Sequence, residues 1–212
     1  MIQDMAPEIR NLGLKVFAKG EEQIVNNVVN GILDDIRKLN TTMSKNELYS
    51  FALSFCENKD SLCMWSNYTN KLGFNISVDT KKLKTCINNN FRGKHLNLYC
   101  GYVIYEDDKK QKIIIDLFED FFNACKLNPS KIKELWVRLE ELIVVHAPFF
   151  KKSVLSQEQE IRFYVMAEQT ILQEYINFKQ LDEVNIPYFN LNCEFAECYK
   201  GIKIGQIGRA HV

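Results

Sequence analysis

The sequence predicts an α+β fold, a mostly antiparallel sheet with several packed helices, in a single domain over residues 1–206. Apolar residues recur at three- and four-residue spacing in several stretches, which is typical of amphipathic helices. Apolar residues alternate between Leu96 and Tyr105, and short strand-like runs fill the last quarter of the chain. Because these strands flank the helical stretches and gather in the C-terminal half, we expect a mainly antiparallel sheet there.

The first half of the chain predicts four helices, one of them short, and two strands. Helices are expected over residues 8–17, 21–39 and 80–91, and strands over 49–55 and 74–78. Between the two strands, Asp60 is predicted to be the N-cap of a short helix. The apolar residues on one side of that helix are Leu62, Met64, Trp65 and Tyr68.

The second half predicts two further helices and five strands. A strand over 96–105 leads to a polar turn at Glu106–Lys110, followed by a helix with apolar positions from Ile113 to Phe122. Ser130 is predicted to cap the next helix, which Pro148 ends. The remaining predicted strands cover residues 161–166, 174–179, 188–191 and 199–204.

Composition narrows the function classes. Lys plus Arg and Asp plus Glu both number 27, so the formal net charge of zero argues against a nucleic-acid binder that relies on a general electrostatic field. No apolar run approaches the length of a membrane span, so no membrane association is expected. The seven cysteines include no Cys-x-x-Cys pair, which argues against a metal site and predicts reduced thiols in a cytoplasmic protein.

The most chemically suggestive pattern is Glu158-x-Glu160-x-Arg162 at the start of a predicted strand. Residues two apart point to the same face of a strand, so all three side chains could line one groove. The guanidinium would lower the carboxylate pKa values and hold one glutamate charged. The alternative is an exposed strand whose charges pair on the surface, where such pairs contribute little.

Two aromatic residues and one serine form a second candidate set. Trp65 and Tyr68 lie three apart on the predicted short helix and therefore share a face. They could stack on a flat ring such as nicotinamide or a purine, or they could anchor the helix in the core. Ser54, at the end of the preceding strand, could hydrogen-bond a ribose or a loop backbone, or it could form a local cap.

Three motifs in order carry a family resemblance over Phe51–Gly205. The first is Ser-Phe-x-x-x-x-Asp-x-Leu-x-Met-Trp-x-x-Tyr from Ser54, followed by Gly73-Phe74. The second joins Phe149-Phe150-Lys151-Lys152 to Glu158-x-Glu160-x-Arg162, and the third joins Pro187-Tyr188 to Ile204-Gly205. Together they resemble the bacterial domain-of-unknown-function family 2971. The resemblance implies that N-terminal strands are missing here. Residues 207–212 read as the translation of a sequencing adapter and are expected to be non-structural.

The resemblance supplies no activity, so two function classes stay open. One is a soluble ligand-binding or interaction domain without catalytic turnover. The other is an ADP-ribosyltransferase-like enzyme acting on NAD, suggested by fold-level analogy in the order of serine, aromatic and glutamate elements. In that case Glu160 would hold the ribose hydroxyl, Glu158 would position the acceptor, and Trp65 or Tyr68 would stack on nicotinamide. A role in phage defence is compatible with either class.

Overall fold

The computed structural model describes residues 1–17, 20–42, 48–61, 64–66, 73–94, 96–168, 170, 173–191 and 193–204. The chain divides into two compact units. The helical unit consists of Met1–Asn46 and Ile104–Ser153, and the sheet unit consists of Glu47–Val103 and Val154–Val212. Helices and antiparallel strands are both present, so the α+β prediction is confirmed.

Four helices build the helical unit around one apolar core. They are α1 (Ala6–Val16), α2 (Glu22–Thr42), α4 (Asp107–Leu127) and α5 (Ile132–His146). Their inward positions follow the predicted helical spacing, and Phe118 and Phe122 of α4 are fully buried between α1, α2 and α5. Burial of this apolar surface is the main stabilising contribution in the unit.

Two boundary predictions in the helical unit are wrong. Glu106–Lys110 is not a polar turn, because α4 begins within it after an N-cap at Glu106. The acidic residues Asp107 and Asp108 lie in the first helical turn, where negative charge is favoured by the helix dipole. Ser130 does not cap α5, since it lies inside the 3-10 turn Pro129–Lys131.

The sheet unit contains one three-stranded sheet and two separate ribbons, all antiparallel. The sheet has the order β1 (Leu48–Cys56), β4 (Glu160–Glu168) and β3 (Asn97–Tyr102). One ribbon pairs β2 (Phe74–Val78) with β7 (Tyr199–Ile204), and the other pairs β5 (Ile176–Leu181) with β6 (Val184–Phe189). In the described part of this unit, α3 (Thr80–Phe91) is the longest helix, α6 (Phe195–Cys198) is a short helix before β7, and residues 64–66 are also helical.

One face of the three-stranded sheet packs against α3. Leu83, Ile87 and Phe91 of the helix are buried with Phe163 and Val165 of β4. The helix face and both limits of α3 are as predicted from the sequence. Asp79 caps this helix by accepting hydrogen bonds from the backbone amides of its first turn.

A disulfide joins Cys86 of α3 to Cys193, just before α6. The sequence-based expectation of reduced thiols is therefore wrong at this pair. The cysteines consequently no longer support the prediction of a cytoplasmic protein. Sequence spacing gave no sign of it, because the two residues are 107 positions apart. No helix in the described part of the chain combines the length and apolar character needed to cross a membrane.

Candidate functional site

A cleft of about 680 Å³ opens in the sheet unit between the end of the three-stranded sheet and the β2–β7 ribbon. Its walls come from the end of β1, the following loop, both strands of the ribbon and the start of α3. The lining contains both polar and apolar side chains. They include Ser54, Glu57, Lys59, Met64, Trp65, Phe74, Tyr102, Ile161, Lys200, Ile202 and Lys203.

A hydrogen-bonded cluster of Ser54, Glu160 and Arg162 lies beside this cleft. Ser54 of β1 pairs with Arg162 of β4, and Glu160 lies two residues before Arg162, so the three side chains share a face of the sheet. The Ser54 hydroxyl donates to Glu160 Oε1. Arg162 Nε donates to the same oxygen at 2.6 Å, and its Nη2 donates to Oε2 at 3.0 Å.

Burial makes this cluster a fixed, charge-paired unit. The Glu160 side chain is only 5% exposed, and a buried carboxylate requires a charged or hydrogen-bonding partner. Arg162 supplies a two-point guanidinium contact, and Ser54 supplies a third hydrogen bond. Of the three residues, Ser54 belongs to the cleft lining, so it connects the buried pair to the cleft.

The loop after β1 is held in place by Asp60 and Trp65. The Trp65 indole Nε1 donates to Asp60 Oδ1 at 2.9 Å, and Trp65 is only 7% exposed. Asp60 was predicted to be the helix N-cap, but the Met64 amide hydrogen bonds to the Ser61 hydroxyl instead. Trp65 is therefore packed like a core residue, which was one of its two predicted alternatives, and it also forms part of the cleft wall.

Two lysines of β7 approach the cleft through exposed ion pairs. Lys203 Nζ lies 3.1 Å from Asp60 Oδ2, and Lys200 Nζ lies 3.0 Å from Asp79 Oδ2. The pKa of Asp60 is lowered, first by the Trp65 hydrogen bond and then by Lys203. The pKa of Asp79 is lowered by the backbone amide of Lys82 and then by Lys200. Both carboxylates therefore stay charged at neutral pH.

The predicted site residues do not all lie together. Ser54 and Trp65 line the cleft, whereas Glu160 and Arg162 form the buried pair next to Ser54. Glu158 lies in the 3-10 turn Ser153–Glu158. Gln159 has a φ of 42°, so the extended run begins after it and the strand alternation covers only Glu160 and Arg162. Tyr68 lies outside the described residues.

Several lining residues were missed by the sequence interpretation. Lys200 and Lys203 belong to a strand that was predicted correctly, but nothing in the sequence connected that strand to the end of β1. Tyr102 was assigned to the apolar side of its strand, yet it is exposed and faces Glu57 at 3.5 Å between the hydroxyl and Oε1.

The comparison with known families agrees with the sequence motifs. The family described as "Protein of unknown function (DUF2971)" matches residues 64–163. Residues 64–163 belong to this family. The DUF2971 segment includes Trp65, Glu160 and Arg162, but it includes neither Ser54 nor the β7 lysines. No curated protein matches the chain, and no solved structure matches it.

Proposed function

We propose that this protein binds a small organic ligand in the cleft of the sheet unit. The observation that carries the proposal is the cleft itself, whose volume of about 680 Å³ lies within the usual range for small-molecule sites. Such sites combine apolar walls with a few polar groups that orient the ligand. Met64, Trp65 and Ile161 provide an apolar wall here, and Ser54 provides a hydroxyl at its edge.

Phe74 is the lining residue best suited to contact a flat ring. It lies on β2 with 69% of its surface exposed, so most of its apolar surface is in contact with water. A ligand ring that covers Phe74 would remove this apolar surface from water. The expected gain in binding free energy resembles the gain from burying part of an aromatic side chain in a protein core.

A fluorescent titration with N-phenyl-1-naphthylamine, an uncharged two-ring probe, tests this proposal. Phe74→Ala should weaken binding by roughly tenfold, because a lost aromatic contact is worth on the order of 1.4 kcal/mol. Phe178→Ala is the matched control: Phe178 also lies on a two-stranded ribbon, is 67% exposed and does not line the cleft. Absence of binding to the unmodified protein, or equal weakening by both variants, would contradict the proposal.

A second candidate function is an ADP-ribosyltransferase-like cleavage of the nicotinamide–ribose bond of NAD. The observation that favours it is the contact between Ser54 and Glu160 beside the cleft. In this role Glu160 would accept a hydrogen bond from a ribose hydroxyl and stabilise the developing cation. Arg162 already donates hydrogen bonds to both carboxylate oxygens of Glu160, so the ribose hydroxyl would have to bind one of these oxygens beside Arg162.

NAD consumption by the unmodified protein, Glu160→Gln and Ser54→Ala separates this candidate from simple binding. The enzyme hypothesis predicts turnover that Glu160→Gln abolishes and Ser54→Ala reduces. Ser54 is exposed, so its alanine variant should fold even where Glu160→Gln does not. Absence of turnover in the unmodified protein, or equal rates in all three proteins, would exclude the catalytic role of Glu160.

A further inference from the structure

Among the residues that the structure describes, three lysines and one carboxylate line the cleft. Lys59 lies on the loop after β1, and Lys200 and Lys203 lie on β7, so ammonium groups reach the cleft from two of its walls. The acidic lining residue is Glu57, which faces the hydroxyl of Tyr102. Asp60 and Asp79 balance the charges of Lys203 and Lys200 but are not part of the lining, so the charged groups that a ligand in the cleft would meet are mainly ammonium groups.

The ion pairs of Lys200 and Lys203 do not prevent them from binding a ligand. Both lysines are about half exposed, and exposed ion pairs contribute little free energy. Exchanging one such carboxylate for an anionic group on a ligand therefore costs little. The flexible four-carbon stem of lysine permits the small movement that the exchange requires.

The two aspartates keep other partners when the lysines turn to a ligand. Asp60 still accepts the indole hydrogen bond of Trp65 at 2.9 Å. Asp79 still accepts hydrogen bonds from the amides of Lys81 and Lys82 at 3.0 and 3.1 Å. Neither carboxylate is left unsatisfied, so the lysines are the movable members of these pairs.

Lys59 is held by its backbone and presents its side chain from a tight turn. The Asn58 side chain accepts from the Asp60 amide at 3.0 Å, and the Asn75 side chain donates to the Lys59 carbonyl at 2.7 Å. Within the described part of the chain, its ammonium group forms no ion pair. It is therefore available to a ligand without any exchange.

From these contacts we propose that the ligand is an organic anion, with an apolar ring joined to a phosphate, sulfonate or carboxylate group. Lys59, Lys200 and Lys203 bind the anionic group, and Phe74, Met64 and Trp65 contact the ring. This assignment rests on the proposed function, since it names the ligand class of the same cleft. It adds a specificity rule, because uncharged rings should bind more weakly than their anionic counterparts.

Two probes with the same ring system test the rule in the full-length protein. The probes are 8-anilinonaphthalene-1-sulfonate and the uncharged N-phenyl-1-naphthylamine. Lys200→Gln/Lys203→Gln should weaken sulfonate binding by roughly tenfold, as expected for the loss of charge-assisted contacts, and should leave the uncharged probe unaffected. Added salt should weaken only the sulfonate probe.

Lys112→Gln is the matched control, because Lys112 is also exposed and paired to an aspartate at 3.1 Å, but lies on α4. It should leave binding of both probes unchanged. If the double variant weakens both probes equally, or neither, the anion assignment is wrong while ring binding stands. If neither probe binds the unmodified protein, the proposed function itself fails.

Discussion

The helical unit and the sheet unit use their aromatic residues differently. Phe118 of the helical unit is fully buried, whereas Phe74 of the sheet unit is 69% exposed at the cleft. A cavity lined by Phe17 and by residues of α2, α4 and α5, such as Val25 and Phe121, has a volume of only about 10 Å³, compared with about 680 Å³ for the cleft. The side chains around this cavity leave little space between them, while the sheet unit keeps open space at the cleft.

This difference supports the proposed division, with ligand binding placed in the sheet unit. In the helical unit, apolar positions are explained by the core that they fill. In the sheet unit, Phe74, Ile76, Ile202 and Ile204 remain exposed on the β2–β7 ribbon. Hydrophobic packing does not account for these four residues. An organic ligand would account for Phe74, Ile76 and Ile202, which line the cleft.

Alanine substitution of one phenylalanine in each unit should separate the two roles most strongly. Phe118→Ala should lower the free energy of unfolding by about 3–5 kcal/mol, because it removes a fully buried ring and leaves a cavity. Phe74→Ala should change it by less than about 0.5 kcal/mol. Chemical denaturation measures both values. Similar losses in the two variants would contradict the division between core and cleft.

Loss of the disulfide should have the next largest effect, and it should fall on the sheet unit. The variant with Cys86→Ala and Cys193→Ala should be less stable than the oxidised protein by about 2–4 kcal/mol, because the bond restricts the unfolded chain. The control is the unmodified protein with and without dithiothreitol, compared by denaturant midpoint. A midpoint that does not respond to the reductant would show that the bond adds no stability.

Sequence reasoning was most successful where local periodicity determines structure. The limits of α3, β2 and β7 and the buried face of α4 follow from spacing alone. It failed where distant segments meet. The disulfide, the pairing of β2 with β7 and the approach of Lys203 to Asp60 all join residues more than 100 positions apart. No local pattern encodes such contacts.

Within the candidate site, sequence reasoning found individual residues but not their arrangement. Ser54 and Trp65 were among the predicted site residues, and both line the cleft. The Glu160–Arg162 contact followed from strand alternation, but the burial of Glu160 did not. Glu158 was grouped with them because the turn at Gln159 has no distinct sequence signal.

The smallest predicted effect concerns the pKa of Asp60 at the cleft wall. Trp65→Phe removes the indole donor, which is the first cause of the lowered value, so the pKa should rise toward 3.8. A lowered carboxylate pKa stabilises the fold above about pH 3.8, and this contribution is lost as the pH falls through the folded-state pKa. A ¹³C carboxyl NMR titration measures the shift. Lys203→Gln should also raise the pKa, because Lys203 is the next cause of the lowered value, and an unchanged pKa in Trp65→Phe would contradict the hydrogen bond.

The most direct test of ligand binding in the cleft is an NMR titration of the ¹⁵N-labelled protein with 8-anilinonaphthalene-1-sulfonate. We expect the largest amide shifts at residues 57–61 and 199–203, which carry the three cleft lysines. The β5–β6 ribbon has exposed apolar residues such as Phe178 but no part in the cleft, so its amides should change little. Shifts centred on β5 and β6, or on the helices of the helical unit, would contradict a ligand site in the cleft.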